Sequence, residues 1–73
     1  MTRSIRTREY AYFVERLQKA RLEAGLSQTQ VAKKIKRPQS HISNVESGQQ
    51  RVDVVELQIF AKIYNKDIGY FIK

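Results

Sequence analysis

The chain has no cysteine and one histidine, His41. Disulfide staples are therefore excluded, as are the Cys- and His-rich sets that hold structural metals. A thiol-free chain fits a reducing compartment, so a cytoplasmic location is expected. No apolar run approaches the about 20 residues of a membrane span. The start, MTRSIRTREY, carries charge but is followed by no apolar segment, so it does not read as a secretory signal. The seven acids are dispersed, mostly as helix caps and surface charges, rather than clustered as a metal-dependent nuclease needs. No enzyme activity, cofactor or small-molecule ligand is expected. A single domain of 73 residues has a marginal core, and with staples and metals gone, self-association is the remaining support.

What the chain does have is positive charge. The formal net charge is +7, and it is unevenly placed. Residues 1–37 hold ten Lys and Arg against Glu9, Glu15 and Glu23, whereas residues 38–73 are balanced. Such a field favours a polyanionic partner. The aromatics are segregated too: Tyr10, Tyr12 and Phe13 lie early, Phe60, Tyr64, Tyr70 and Phe71 lie late, and none lies between. Single-strand binding calls for aromatic platforms within a basic groove. Their absence from most of the basic half points to duplex backbone and groove contacts.

The chain is organised around Ser27 to Gly48, SQTQVAKKIKRPQSHISNVESG. Ser27 is a good N-cap, with Gln30 placed to complete a capping box. Val31, Ala32 and Ile35 then form one apolar stripe. Lys36-Arg37-Pro38 interrupts it, because the residue before proline is pushed out of the α region. A second helix begins at Pro38 or Gln39 and closes at Gly48 in the left-handed conformation. Its apolar positions are Ile42 and Val45. The opposite face is Gln39, Ser40, Ser43 and Asn44, all uncharged hydrogen-bonding residues suited to the edges of base pairs.

Around this pair, residues 1–6 read as a flexible basic arm carrying Arg3 and Arg6. A long helix is expected from near Thr7 to Ala24, stopped by Gly25, with Phe13, Leu17, Ala20 and Ala24 buried and Tyr10 and Val14 beside them. Arg16, Lys19 and Arg21 rise toward its C-terminal end. After the loop Gln49-Gln50-Arg51, Asp53 caps a fourth helix, with Glu56 at the box position. Leu57, Phe60, Ala61 and Tyr64 form its apolar face, helped by Val54, and Asn65 supplies the stop. Asp67 opens a short last helix over Ile68–Ile72, weakened by Gly69. The expected fold is a compact all-α domain of five helices over residues 7–73.

The run SQTQVAKKI…PQSHISNVESG resembles the helix-turn-helix of the Cro and phage-repressor family, also called the XRE family. The resemblance extends from about Phe13 to Phe71. It rests on Leu17, Arg21, Gly25-Leu26-Ser27-Gln28, Ala32, Ile42, Val45-Glu46, Gly48, Leu57, Ala61 and Tyr64. The stretch RPQSHISNVESGQQRVDVVEL also resembles a bacterial subgroup with proline at the start of the recognition helix and an acidic start to the fourth. The family implies a lambda-repressor-like, five-helix domain in a bacterial or phage setting, associated with the nucleoid.

By resemblance, Gln39 and Ser40 touch bases from the start of the recognition helix, and Asn44, with Ser43, faces the same groove. Gln28 bonds a phosphate at the start of the second helix, and Gln50 and Arg51 meet the DNA backbone. Ala32 is small so that two helices can approach. Arg21 and Glu46 form an ion pair between the first and third helices. Lys36 stands where the family often has Gly, and Arg37 where it has an apolar or small residue; both add charge where phosphates pass. His41 is expected on the helix surface near the backbone, not as a metal ligand. Ile68 and Phe71 belong to the core, leaving Tyr64, Tyr70 and Ile72 as surplus apolar surface for a homodimer. A two-fold dimer would place its recognition helices about 34 Å apart on a pseudo-palindrome. The expected function is thus a sequence-specific regulator of the repressor kind. A controller of a restriction-modification operon, or an antitoxin-like interaction module with autoregulatory DNA binding, is the alternative.

Overall fold

The computed structural model describes residues 7–72, and the basic arm expected over residues 1–6 lies outside them. Four α-helices follow in order: α1 (Arg8–Glu23), α2 (Gln28–Ile35), α3 (Gln39–Glu46) and α4 (Val54–Tyr64). The described residues contain no strand, and no helix among them is long and apolar enough to cross a membrane. The expected fifth helix is a single 3₁₀ turn, Ile68–Tyr70. Three residues with Gly69 at their centre are too few and too flexible to continue as α-helix.

The helix starts follow local capping chemistry. Thr7 Oγ1 accepts from Tyr10 N at 3.0 Å, opening α1. At α2 the box is complete: Ser27 Oγ accepts from Gln30 N at 3.1 Å, and Gln30 Oε1 accepts from Ser27 N at 2.8 Å. Asp53 Oδ1 accepts from Glu56 N at 2.8 Å to open α4. Pro38 precedes α3 with no side-chain cap.

All four helices stop in the same way. Each ends on a left-handed residue, Gly25, Lys36, Gly48 or Asn65. In each case the next residue's N–H reaches back to a carbonyl of the last turn: Leu26 to Arg21, Arg37 to Ala32, Gln49 to Asn44 and Lys66 to Ala61, at 2.9–3.2 Å. This closure satisfies carbonyls that the helix leaves open. Glycine and asparagine enter the left-handed region readily; Lys36, at φ 61°, does so against its Cβ.

The core joins the two ends of the described chain to its middle. Leu17 and Ala20 of α1, Val31 of α2, Ile42 and Val45 of α3, Phe60 of α4, and Phe71 are almost wholly buried. The separated aromatics of the sequence meet here, with Phe13 edge-on to Phe71 at 6.5 Å between ring centres. Ala24, expected in the buried stripe, is instead the exposed C-cap of α1. Val54, expected to support the buried face of α4, is 66% exposed because it sits at the open end of that helix.

The expected pairing surface is also redistributed. Tyr64 is 4% exposed and stacks on Phe60, so it is core and not surface. Tyr70 is half-buried and fully engaged. Its carbonyl accepts from Arg16 Nε at 2.9 Å, and its ring lies under the Arg16 guanidinium at 3.9 Å and the Lys66 ammonium at 4.5 Å. Its hydroxyl donates to Glu23 Oε1 at 3.2 Å, and Lys66 donates to the same carboxylate at 2.9 Å. Tyr70 therefore fastens the last turn to α1. Ile72 stays half-exposed as expected, joined by Val54, Val55 and Ile59.

The hydrogen bond from Lys66 holds the Glu23 carboxyl below its usual 4.5. The stabilisation this carboxylate gives is therefore complete above pH 4.5 and is lost as the pH falls through the lower folded value. Lys36→Gly removes the left-handed strain and is expected to raise stability by about 0.5–1 kcal/mol, a few degrees in Tm. Asn65→Gly gains less, since asparagine tolerates that conformation. Thermal melts of the two variants by circular dichroism check this; equal gains would contradict it.

Candidate nucleic-acid interface

Ile42 and Val45 are fully buried and lie on one side of α3, which turns its other side to solvent. Gln39, Ser40, Ser43 and Asn44 are all exposed there. Ala32, at 4% exposure, lies on the face α2 turns to the core, where it packs most extensively against α3. The hydrophobic contacts hold α3 in place, but two sets of polar contacts on its flanks set its orientation.

The first set links α1, α2 and α3. Arg21 Nε donates to Glu46 Oε2 at 2.7 Å and Nη2 to Oε1 at 3.1 Å, a two-pronged pair with side chains only 10% and 6% exposed. Arg21 Nη1 also donates to the Leu26 carbonyl at 2.9 Å. Gln28 Nε2 donates to Glu46 Oε1 at 3.0 Å, and Gln28 Oε1 accepts from Gln39 Nε2 at 2.6 Å. The arrangement runs without a gap from a buried arginine to an exposed amide on the solvent face of α3. Tyr64 packs nearby; burial first, and then the Glu46 charge, push its phenol far above its usual range, with Arg21 opposing.

The second set lies on the other flank. His41 is half-buried, and its Nε2 is 3.1 and 3.0 Å from the two carboxylate oxygens of Glu56 on α4. Arg37 Nε stands 3.8 Å from the same carboxylate. Glu56 therefore leaves the capping box of α4 half-made, its N–H capped by Asp53 but its carboxylate turned to α3.

These contacts sort the expected phosphate-binding residues. Lys36, Arg37, Gln50 and Arg51 are exposed in the segments before and after α3. Arg51 lies over the Tyr10 ring at 4.2 Å, and the Tyr10 hydroxyl is 3.5 Å from the Gln50 carbonyl, so α1 supports the loop after α3. Burial, the largest influence, raises the Tyr10 pKa, while a hydrogen bond to the Val52 backbone and the Arg51 charge pull it down. Two of the expected phosphate-binding residues also have partners within the protein. Gln28 Nε2 donates to Glu46 and its Oε1 accepts from Gln39, which leaves the second Nε2 hydrogen for a phosphate. His41 is a bridge to α4 and not a free surface residue.

Sequence reasoning missed the partnership of Glu56 with His41 and the support of Arg51 by Tyr10. Nothing in local spacing links residues 15 or 41 positions apart in the chain. Among the described residues no group of His, Cys, Asp or Glu is placed to hold a metal ion. Every deeply buried side-chain nitrogen or oxygen among them has a partner.

Two short helices at a tight turn, the second presenting polar side chains beside a run of cations, define a DNA-binding helix-turn-helix domain. A family model described as Helix-turn-helix matches residues 17–71. The chain belongs to that family, the Cro and phage-repressor (XRE) group of DNA-binding transcription regulators. No curated protein matches it.

Removing one partner of the Arg21–Glu46 pair leaves a buried charge unpaired. Arg21→Ala is expected to lower stability by about 3–5 kcal/mol, measured by urea unfolding. Arg21→Met combined with Glu46→Leu should recover most of that loss. A double variant as unstable as the single one would show that the pair does more than neutralise itself.

Proposed function

We propose that this protein is a repressor that reads a pseudo-palindromic operator as a homodimer, with Gln39, Ser40, Ser43 and Asn44 on the base edges. The observation that carries this reading is the continuous arrangement Arg21–Glu46–Gln28–Gln39. An exposed glutamine on a solvent-facing helix normally samples many rotamers, and fixing one costs side-chain entropy. Here the Gln39 amide is already oriented by Gln28, which itself rests on a buried ion pair. Preorganised amides suit bidentate recognition of adenine, and the neighbouring hydroxyls serve either donors or acceptors. Lys36, Arg37, Gln50 and Arg51 supply the sequence-independent contacts to phosphate. Occupying a promoter in this way blocks it to other proteins.

Pairing of two copies would rest on Ile72 with Val54, Val55 and Ile59, since Tyr64 is core and Tyr70 is engaged within the chain. Val55 and Ile59 are one turn apart on the outer face of α4. Val54 and Ile72 border a shallow apolar groove of about 350 Å³ with Tyr10, Phe13, Val52 and Leu57. A two-fold axis beside this surface supplies the two reading helices that a palindrome needs, about 34 Å apart.

Selection from a random duplex library at a stated salt concentration tests the reading. The expected result is an enriched inverted repeat with half-sites one helical turn apart. Gln39→Ala and Asn44→Ala should then each lose about 1–3 kcal/mol of discrimination at particular base pairs. Arg51→Ala should weaken selected and random duplexes alike. Enrichment of no sequence would remove the operator reading, and the surface around Ile72 would then argue for an interaction module. Ile59→Asp should reduce the sedimentation coefficient of the free protein if α4 mediates pairing.

A further inference from the structure

We propose that Glu56 is an internal competitor of the DNA backbone: its carboxylate holds Arg37 in the free protein and so restrains sequence-indifferent binding. The proposal rests on the DNA-facing surface inferred above. Glu56 stands at the start of α4, yet its carboxylate turns away from the cap position it could have served and toward the flank of α3. It is fastened there by His41, whose Nε2 lies 3.0 Å from one oxygen and 3.1 Å from the other. The two side chains are 11% and 13% exposed, so the anion cannot swing away.

Arg37 is different. It belongs to the turn before the recognition helix, is 53% exposed and reaches the same carboxylate only loosely, at 3.8 Å. Its neighbours Lys33, Lys34 and Lys36 are exposed as well, and among the described residues none of the three has a carboxylate in reach. Within this cluster of cations, Arg37 is thus the one already matched with an anion.

A loose, exposed pair is weak, so exchange of carboxylate for phosphate is easy. The exchange still has a consequence. When Arg37 moves to a phosphate, the Glu56 charge stays behind, held by His41 close to a second anion. The net number of phosphates neutralised falls, and non-specific affinity, which is electrostatic, falls with it. Contacts to base edges are left untouched. Glu56 therefore lowers the phosphate share of binding to any duplex and leaves the reading of bases unchanged.

The test measures binding to a random-sequence duplex by fluorescence anisotropy across a range of salt concentrations. Glu56→Gln keeps an acceptor for His41 but loses the charge. Glu15→Gln, an exposed change on α1, is the control for net charge alone. Circular dichroism melts establish that each variant is folded.

Relative to Glu15→Gln, Glu56→Gln should bind about 3- to 10-fold more tightly at low salt. Its slope of log affinity against log salt should be steeper by about 0.9, one phosphate's worth. Arg37→Gln should remove about that much slope in the Glu56→Gln background and clearly less in the native chain. Equal behaviour of Glu56→Gln and Glu15→Gln would overturn the proposal. Should Glu56→Gln not fold, Arg37→Gln alone decides: a full loss of about 0.9 in slope shows that Glu56 restrains nothing. Failure to bind any duplex would instead overturn the recognition reading and this proposal with it.

Discussion

The Arg21–Glu46 pair is the interaction on which the setting of α3 depends. Two charges buried to this extent are expensive to desolvate, and the pair is tolerable only because its donors and acceptors are matched. The planar guanidinium meets both carboxylate oxygens and still has a nitrogen for the Leu26 carbonyl. The carboxylate keeps room for Gln28. Apolar contacts alone would let α3 turn by some degrees about its axis, because burial of Ile42 and Val45 is not directional. Directed hydrogen bonds remove that freedom, and the direction of Gln39 follows from it.

The two flanks of α3 are built from the same kind of part and serve different ends. On one side a carboxylate within α3 is drawn into the protein by α1. On the other a carboxylate of α4 grips α3 from outside through His41. Between them the uncharged face remains free of internal partners except at Gln39. Lys36 shows the opposite priority, since its left-handed backbone is a conformation that glycine would adopt with less strain. That strained backbone places a cation beside the turn.

Most of the fold was legible because it is local. Ser27 with Gln30, Asp53, Gly25, Gly48 and Asn65 act within four or five residues, and their chemistry is readable from spacing alone. The uncharged face of α3 was legible for the same reason, since helical periodicity separates it from Ile42 and Val45. What escaped was long-range. That His41 turns to Glu56, that Tyr10 carries Arg51, and that Tyr70 is clasped by Arg16, Glu23 and Lys66 are consequences of tertiary approach. Tyr64 was misplaced because an aromatic on an apolar stripe serves a core and an interface equally well. The last helix was overextended because five residues with a glycine second among them lack the length to sustain one.

The meeting of Phe13 with Phe71 also orders events in time. Contacts between α2 and α3 span few residues and close small loops, whereas the aromatic clasp joins positions 58 apart and must wait for a large loop to close. The reading unit therefore assembles early on the folding route and the clasp late. Run in reverse, the same hierarchy lets the clasp loosen as a sub-global opening while α2 and α3 hold together. A protease that acts on the opened clasp would then meet α2 and α3 last.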